Sequence, residues 1–548
     1  MSDHHHVPHA AHELKPEASD RLTKPFMRFS SLASSGGIVL LLCTVVALVW
    51  SNSSAHQSYH NLFHETPFSI GLGDVAPEDD HAVDHPVEGA VEGDSDAALA
   101  HREETPVVDP VEPTGEGLVG GEIASVIGGE HGEADADPAA DHGAGIKFSV
   151  IGKSYSLHWW INDFLMAIFF LLVGLEIKRE ILVGELSDVK RASLPIFAAM
   201  GGMVVPALIY TAFNYNNPDT VTGWGVPMAT DIAFALGILA LLGPRVPNSL
   251  KVFLASLAIA DDLGALLVIA IFYTEELNMT ALGYAGGVLA VLFAFNRMGF
   301  RSSLYYVLPG LVLWFFVYES GIHATIAGVL LALVIPVHTR VDGKRYARYT
   351  RDAIDTFEEH IGEDGKQDLD VRQRAAVLAI EKNNRFVVPL LNRMEHVLHP
   401  WVAFLIIPVF ALANAGVEMH GGFVESVKGS VSMGVILGLF LGKPLGVTLF
   451  CFISVKLGLA KLPTGVTWRH ILGAGFLAGI GFTMAIFIAN LAYHGETAPY
   501  YIEHAKIGIL IASFGASVVG LLILISVPSP KANGAAPKPK PELEPKTE

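Results

Sequence analysis

Apolar residues gather along this chain into runs approaching the ~20 residues that cross a bilayer, and the runs recur almost to its end. About twelve begin near Gly36, Leu157, Leu194, Gly225, Leu250, Leu282, Ser303, His323, Leu398, Val431, Ile471 and Glu503. The pattern predicts an all-α polytopic membrane protein. Lys and Arg alternate between the loops. They occur before the first run (Lys15, Arg21, Lys24, Arg28), after the second (Lys178, Arg179, Lys190, Arg191) and eleven times between His338 and Arg393, with few in the intervening loops. The positive-inside bias then puts both termini in the cytoplasm and the loop after the first span outside.

Composition sharpens this reading. Of 548 residues, 51% are hydrophobic and 17% charged, against about 25% charged in ordinary globular chains. An ordinary soluble enzyme and a disordered scaffold are both excluded. The net charge of −19 belongs to one segment: Asp74–Gly145 holds 10 Asp, 10 Glu and a single basic residue, Arg102. Cys43 and Cys451 lie in apolar runs, so neither a disulfide framework nor a CxxC metal site can be built.

The expected organisation is a cytoplasmic tail (1–30), a membrane domain (31–527) and a disordered cytoplasmic tail (528–548). Two insertions interrupt the membrane domain. The acidic loop 74–145 cannot bury enough apolar surface to fold alone; strand-like alternation on either side of it, in Phe68–Gly73 and Ile146–Leu157, predicts a small outward β-hairpin. Segment 340–392 mixes both charges at helical spacing and reads as a cytosolic helical insert.

Ionisable groups inside apolar runs carry the chemistry, since each costs roughly 2.5–3.5 kcal/mol at a helix centre. Asp261 and Asp262 stand adjacent in LASLAIADDLGALLVIAIF. Neighbouring helical residues point about 100° apart, so each acid needs its own partner around one polar cavity. Two close carboxylates in a low dielectric resist being charged together and exchange protons. Hard cations prefer oxygen ligands, so the pair can hold either protons or Na⁺. The bland alternative is a buried ion-pair scaffold.

Thr230 and Asp231, in VPMATDIAFALG, are N-cap types inside an apolar run, which suggests an unwound stretch where a half-helix starts. Glycines 473, 475, 479 and 481 mark a second candidate break. Two interrupted spans point to a transporter's midplane site; simple close helix packing is the other reading of the glycines. Lys443 lies deep in GVILGLFLGKPLGVTLF, where glycines 434, 438, 442 and 446 give one smooth face. It needs a carboxylate, with Asp261, Asp262 and Asp163 as candidates. Asp163 also reads as a mouth residue. His323 opens an apolar run. Glu176 and Glu180 flank Lys178 and Arg179, and Glu395, His396 and His399 sit at another span end. Carboxylates beside imidazoles could sense pH; solvated interface charge is their plainer reading.

The strings LLVGLEIKRE, ATDIAFALG, AIADDLGALLVIAIFYT, SGIHATIAGV, EHVLHPWVAF, LGKPLG and GIGFTMAIFIA, in that order, resemble the NhaA-type sodium/proton antiporters from about Ser31 to Val527, outside the two insertions. That family is itself a type case of inverted-repeat transport. The resemblance implies inverted repeats with two discontinuous helices, and an electrogenic, pH-regulated Na⁺(Li⁺)/H⁺ antiporter of the bacterial inner membrane. It implies Asp262 as principal cation ligand, Asp261 as its partner in proton exchange and Lys443 as salt-bridge partner. Thr230 and Asp231 would lie at the crossing of the broken helices, with Asp231 and Lys443 compensating half-helix dipoles, and Asp163 would line the ion path. Glu176, Arg179, Glu180, Glu395, His396 and His399 would form a pH-responsive cluster, with His323 added on the opposite side.

The same resemblance implies a homodimer through the hairpin and membrane lipid as surroundings. No cofactor beyond the transported ions is implied, and nothing points to nucleic acid. Asn392 and Glu319 stand where the family leads one to expect basic residues, which bears on the pH set-point. Rival readings are a sodium-coupled solute symporter, a cation channel, or a sensor whose acidic loop binds metal through His81, His85, His101, His131 and His142.

Overall fold

The computed structural model describes residues 35–65, 67–68, 149–150, 153–274, 277–339, 342–359, 369–417 and 423–528. The chain divides into two units, residues 69–154 and the remainder. The acidic loop with its five histidines, residues 1–34 and residues 529–548 lie outside the described residues.

In chain order the main helical segments are α1 (Ser35–Ser51), α2 (Leu157–Leu182), α3 (Val189–Asn214), α4 (Pro218–Leu241), α5 (Asn248–Phe272), α6 (Met279–Met298), α7 (Leu304–Glu319) and α8 (Thr325–Val334). There follow α9 (Gly343–Glu358), α10 (Val371–Val387), α11 (Leu390–Asn414), α12 (Ser430–Lys456), α13 (Trp468–Ala478), α14 (Phe482–Ala492) and α15 (Ala498–Ser526). Among the described residues eight of these are long and apolar enough to cross a membrane, and the pair α13–α14, bent by 48°, makes up to nine. Three more, α1, α7 and α8, are apolar but shorter. Several begin earlier than their apolar runs suggest: α11 starts at Leu390, not near Leu398, because its first two turns are amphipathic. The outward surface is greasy. Leu42, Val49, Phe293, Leu308 and Phe514 are each more than half exposed, a density of bare apolar side chains that water does not tolerate.

Short antiparallel pairs flank the acidic loop. Pro67 and Phe68 oppose Ser156 and Tyr155, and, within the smaller unit, Ser149 and Val150 oppose Ser154 and Lys153. In the segment 340–392, α9 is capped by Asp342, whose carboxylate accepts from the Arg345 N–H at 2.7 Å. A capping box joining Asp370 and Gln373 starts α10.

Glycine lets the membrane helices touch backbone to backbone. A Cβ on Gly446 of α12 would stand 2.0 Å from the carbonyl oxygen of Gly201 on α3, and one on Gly201 would stand 2.2 Å from that of Gly446. Gly434, Gly438 and Gly442 continue the same face past Tyr210, Pro227 and Pro206. Without a hydrophobic driving force between helices in lipid, such close packing is what joins them. It also carries Lys443, one residue beyond Gly442, into the centre of the bundle.

Candidate functional site

Two helical segments are broken, and they meet at their breaks. In α4, a helical turn (Pro218–Val221) tightens into a 3₁₀ stretch (Thr222–Met228), becomes extended at Ala229, and restarts as Ile232–Leu241. Between α13 and α14 the chain breaks over Gly479, Ile480 and Gly481. A Cβ on Gly479 would lie 2.5 Å from the Leu439 carbonyl of α12, so the backbone passes where only glycine fits.

Each break frees backbone groups that no water reaches, and each finds a partner in the other. The Asp231 N–H donates to the Ile480 carbonyl at 2.7 Å. Asp231 caps both restarting half-helices. Its Oδ1 accepts from the Phe234 N–H at 3.0 Å, and its Oδ2 accepts from the Thr483 hydroxyl at 2.5 Å and the Thr483 N–H at 3.3 Å. An anion there lies at the positive ends of two helix dipoles. At the opposite ends, the Lys443 ammonium donates to the Met228 carbonyl, the last of the 3₁₀ stretch. The Thr230 hydroxyl lies 2.8 Å from the Ala478 carbonyl, the last of α13.

The charged pair joins this crossing to α5. Lys443 Nζ is 2.5 Å from Asp261 Oδ2, which also accepts from the Thr230 hydroxyl at 2.6 Å; the single hydroxyl proton serves this oxygen or Ala478, not both. Of the three aspartates offered to Lys443, the structure pairs it with Asp261. Thr230, Asp231, Asp261, Asp262 and Lys443 are all at most 2% exposed. Carboxylate oxygen is left over: among the described residues Asp261 Oδ1 has no hydrogen-bond partner, and the side chain of Asp262 makes no hydrogen bond. A cluster with surplus carboxylate oxygen in a dry setting can accept a proton or a small hard cation.

The other residues singled out lie elsewhere. Asp163 is half-buried in a π-helical stretch of α2, Trp160–Leu165, with no hydrogen bond or ion pair to the central cluster. Toward the far end of α2, Arg179 pairs with Glu395 of α11 and reaches Glu180 at 3.3 Å. Glu180 also accepts from the Glu185 N–H at 3.1 Å. Glu176 is half-buried on the same helix, whereas His396 and His399 are exposed. His323 Nε2 lies 2.5 Å from the Tyr273 carbonyl, which makes it a donor.

Sequence reasoning missed the backbone carbonyls of Met228, Ala478 and Ile480, and Thr483. It also missed a polar ring formed by His158, Asn162 and Asn414, with Asn490 attached. His158 Nε2 lies 3.1 Å from Asn414 Oδ1, Asn414 donates to Asn162 at 2.9 Å, and Asn490 donates to Asn414 at 2.8 Å. Three asparagines inside apolar strings (WWIND, ALAN, FIAN) were the available signal.

Lipid-facing helices around a dry, charged crossing define an integral membrane protein with an ionisable site in the interior of its bundle. The family model described as Na⁺/H⁺ antiporter 1 matches residues 27–88 and 139–524, and the chain belongs to this family. It is 43% identical to the Na⁺/H⁺ antiporter NhaA of Oleidesulfovibrio alaskensis over 95% of this chain and 97% of the relative. It is 49% identical to NhaA of Wolinella succinogenes over 68% and 82%, and 39% identical to NhaA of Escherichia coli (strain UTI89 / UPEC) over 91% and 97%.

Proposed function

We propose that the protein exchanges Na⁺ or Li⁺ for protons by alternating access, and that the observation carrying this is the surplus carboxylate oxygen at the crossing. Asp261 Oδ1 is buried without a hydrogen-bond donor, and the side chain of Asp262, 2% exposed, makes no hydrogen bond among the described residues. A carboxylate left so must be neutralised by a proton or a cation, because an isolated buried charge is prohibitively costly. Proton and Na⁺ therefore compete for the same atoms, and competition alone couples their fluxes. Asp262, lacking a fixed cationic partner, is the principal ligand; Asp261 shares the cation through Oδ1, against the pull of Lys443. Asp231 and Lys443 neutralise opposite ends of the half-helices whether or not the site is loaded, and Thr230 holds the break. Asp163 lies on the ion path.

In this reading α1, α7 and α8 also cross the membrane, giving twelve spans in two inverted repeats with both termini cytoplasmic. If both acids discharge for each Na⁺, net positive charge moves inward, and each charge gains about 2.3 kcal/mol per 100 mV. Glu176, Arg179, Glu180, Glu395, His396 and His399 at the cytoplasmic mouth, with His323 opposite, set the pH response. The short strands flanking the acidic loop form the contact of a homodimer.

The test is collapse of ΔpH in everted vesicles on adding Na⁺, Li⁺ or K⁺ between acidic and alkaline pH. Collapse with Na⁺ and Li⁺, rising with pH and absent in Asp262→Asn, is the expected result. Na⁺ flux that leaves ΔpH untouched in folded, inserted protein would replace exchange with a channel or a symporter.

A further inference from the structure

A cavity of about 350 Å³ opens at the basic end of the bundle, between the start of α3, the start of α5 and the loop before α13. Lys190, Arg191 and Lys461 line it against one carboxylate, Glu185, and Glu185 is already engaged by Arg191 at 3.6 Å. Among the described residues Lys190 and Lys461 form no ion pair, and both side chains are exposed. Two unpaired ammonium groups, brought by segments far apart in sequence, thus share one opening. Like charges so placed repel unless an anion joins them.

The walls are held firmly. Leu194 and Phe253 pack in one buried cluster with Ala460 and Val466 of the loop. The Ser249 hydroxyl donates to the Thr464 carbonyl at 2.7 Å, so the loop bearing Lys461 is pinned to α5. The surroundings are apolar: Val252, which lines the cavity, is 45% exposed. Close in sequence to the lysines, Val189, Leu457 and Leu459 are more than half exposed. A soluble anion would use the cations and leave that surface bare. A phospholipid would use both.

We propose that this cavity seats the phosphate headgroup of an anionic phospholipid, held by Lys190 and Lys461, with the acyl chains lying along Val252. Basic pockets between helices at the membrane surface recognise such headgroups. Ser256, at the buried side of the lining, belongs to the same helix as Asp261 and Asp262. A bound lipid there braces α5 against α3 and the loop leading to α13, the helices that hold the crossing.

The experiment follows thermal unfolding of the full chain in detergent during titration with phosphatidylglycerol, phosphatidylcholine or inorganic phosphate. Phosphatidylglycerol is expected to raise Tm saturably, and the other two to leave it unchanged. Lys190→Gln and Lys461→Gln should each weaken the lipid's apparent affinity about fivefold, and together roughly thirtyfold, whereas the double Arg variant should keep it. If the double Gln variant does not fold, the two single variants carry the test. Titration of the Gln variants like the unmodified chain, or an equal response to phosphatidylcholine, would overturn the site. An equal response to inorganic phosphate would overturn the lipid as its occupant.

Discussion

The crossing at the centre and the charged cluster that joins α2 to α11 are both networks of acids and bases, yet they solve the same problem differently. At the crossing Lys443 and Asp261 are each 1% exposed; Lys443 also donates to the Met228 carbonyl and Asp261 Oδ2 accepts from Thr230, while Asp261 Oδ1 is left without a donor. In the second cluster Arg179 is 36% exposed and Glu395 14%, with water available to either. A buried charge depends on fixed partners, so removing one partner strands the other. A half-exposed pair exchanges its partner for water at little cost. The difference separates a place where occupancy must be settled by proton or metal from one where the balance of charge can drift with conditions.

The largest expected effect breaks the central pair. Lys443→Ala should destabilise the protein by about 3–5 kcal/mol, as for other broken buried pairs, and lower the thermal unfolding temperature in detergent more than any substitution in the second cluster. If Arg179→Ala costs as much, the contrast between the two regions fails. Next comes the double cap: Asp231→Ala removes acceptors from two half-helices and should cost about 2 kcal/mol at ~1 kcal/mol per cap. Thr483→Val, which removes one donor to Asp231, should cost about half of that in the same measurement. Asn414→Ala, at the centre of the asparagine ring, should cost roughly 1 kcal/mol, since hydrogen bonds within membranes average about 0.6 kcal/mol. Urea unfolding of refolded protein would resolve it. The smallest effect is Arg179→Ala, below about 1 kcal/mol in stability. Its consequence should instead be a displaced pH profile of ΔpH collapse, weakened as salt screens the cluster over ~8–10 Å.

Much of this was legible because the membrane makes polarity conspicuous. Asp261, Asp262, Asp231 and Lys443 stand out in apolar strings since nothing but a partner justifies them, and Thr230–Asp231 announced a helix start in mid-run through cap chemistry alone. The glycines at 434, 438, 442 and 446 carried their helix contact in their spacing, and the packing of all four against or beside α3 follows from the absence of side chains. Three things were illegible. Backbone carbonyls have no sequence signature, so Met228, Ala478 and Ile480 could not be named. Thr483 looks like any other residue of an apolar half-helix. The bonded asparagines at 162, 414 and 490 come from segments 252 and 76 residues apart, and only contact makes them a network.

By itself, then, the sequence determined that the chain lives in a bilayer, which residues are too costly there to be idle, and where helix breaks were to be looked for. Those are local properties, decided by transfer free energy and backbone chemistry over a few residues. Tertiary structure alone decided that the two breaks coincide and that Asp261 rather than Asp262 or Asp163 takes Lys443. It also left Asp262 and one oxygen of Asp261 without a donor. Partner choice depends on distance in space, and in a helical bundle residues 182 positions apart, such as Asp261 and Lys443, become neighbours only when glycine-faced helices close on each other.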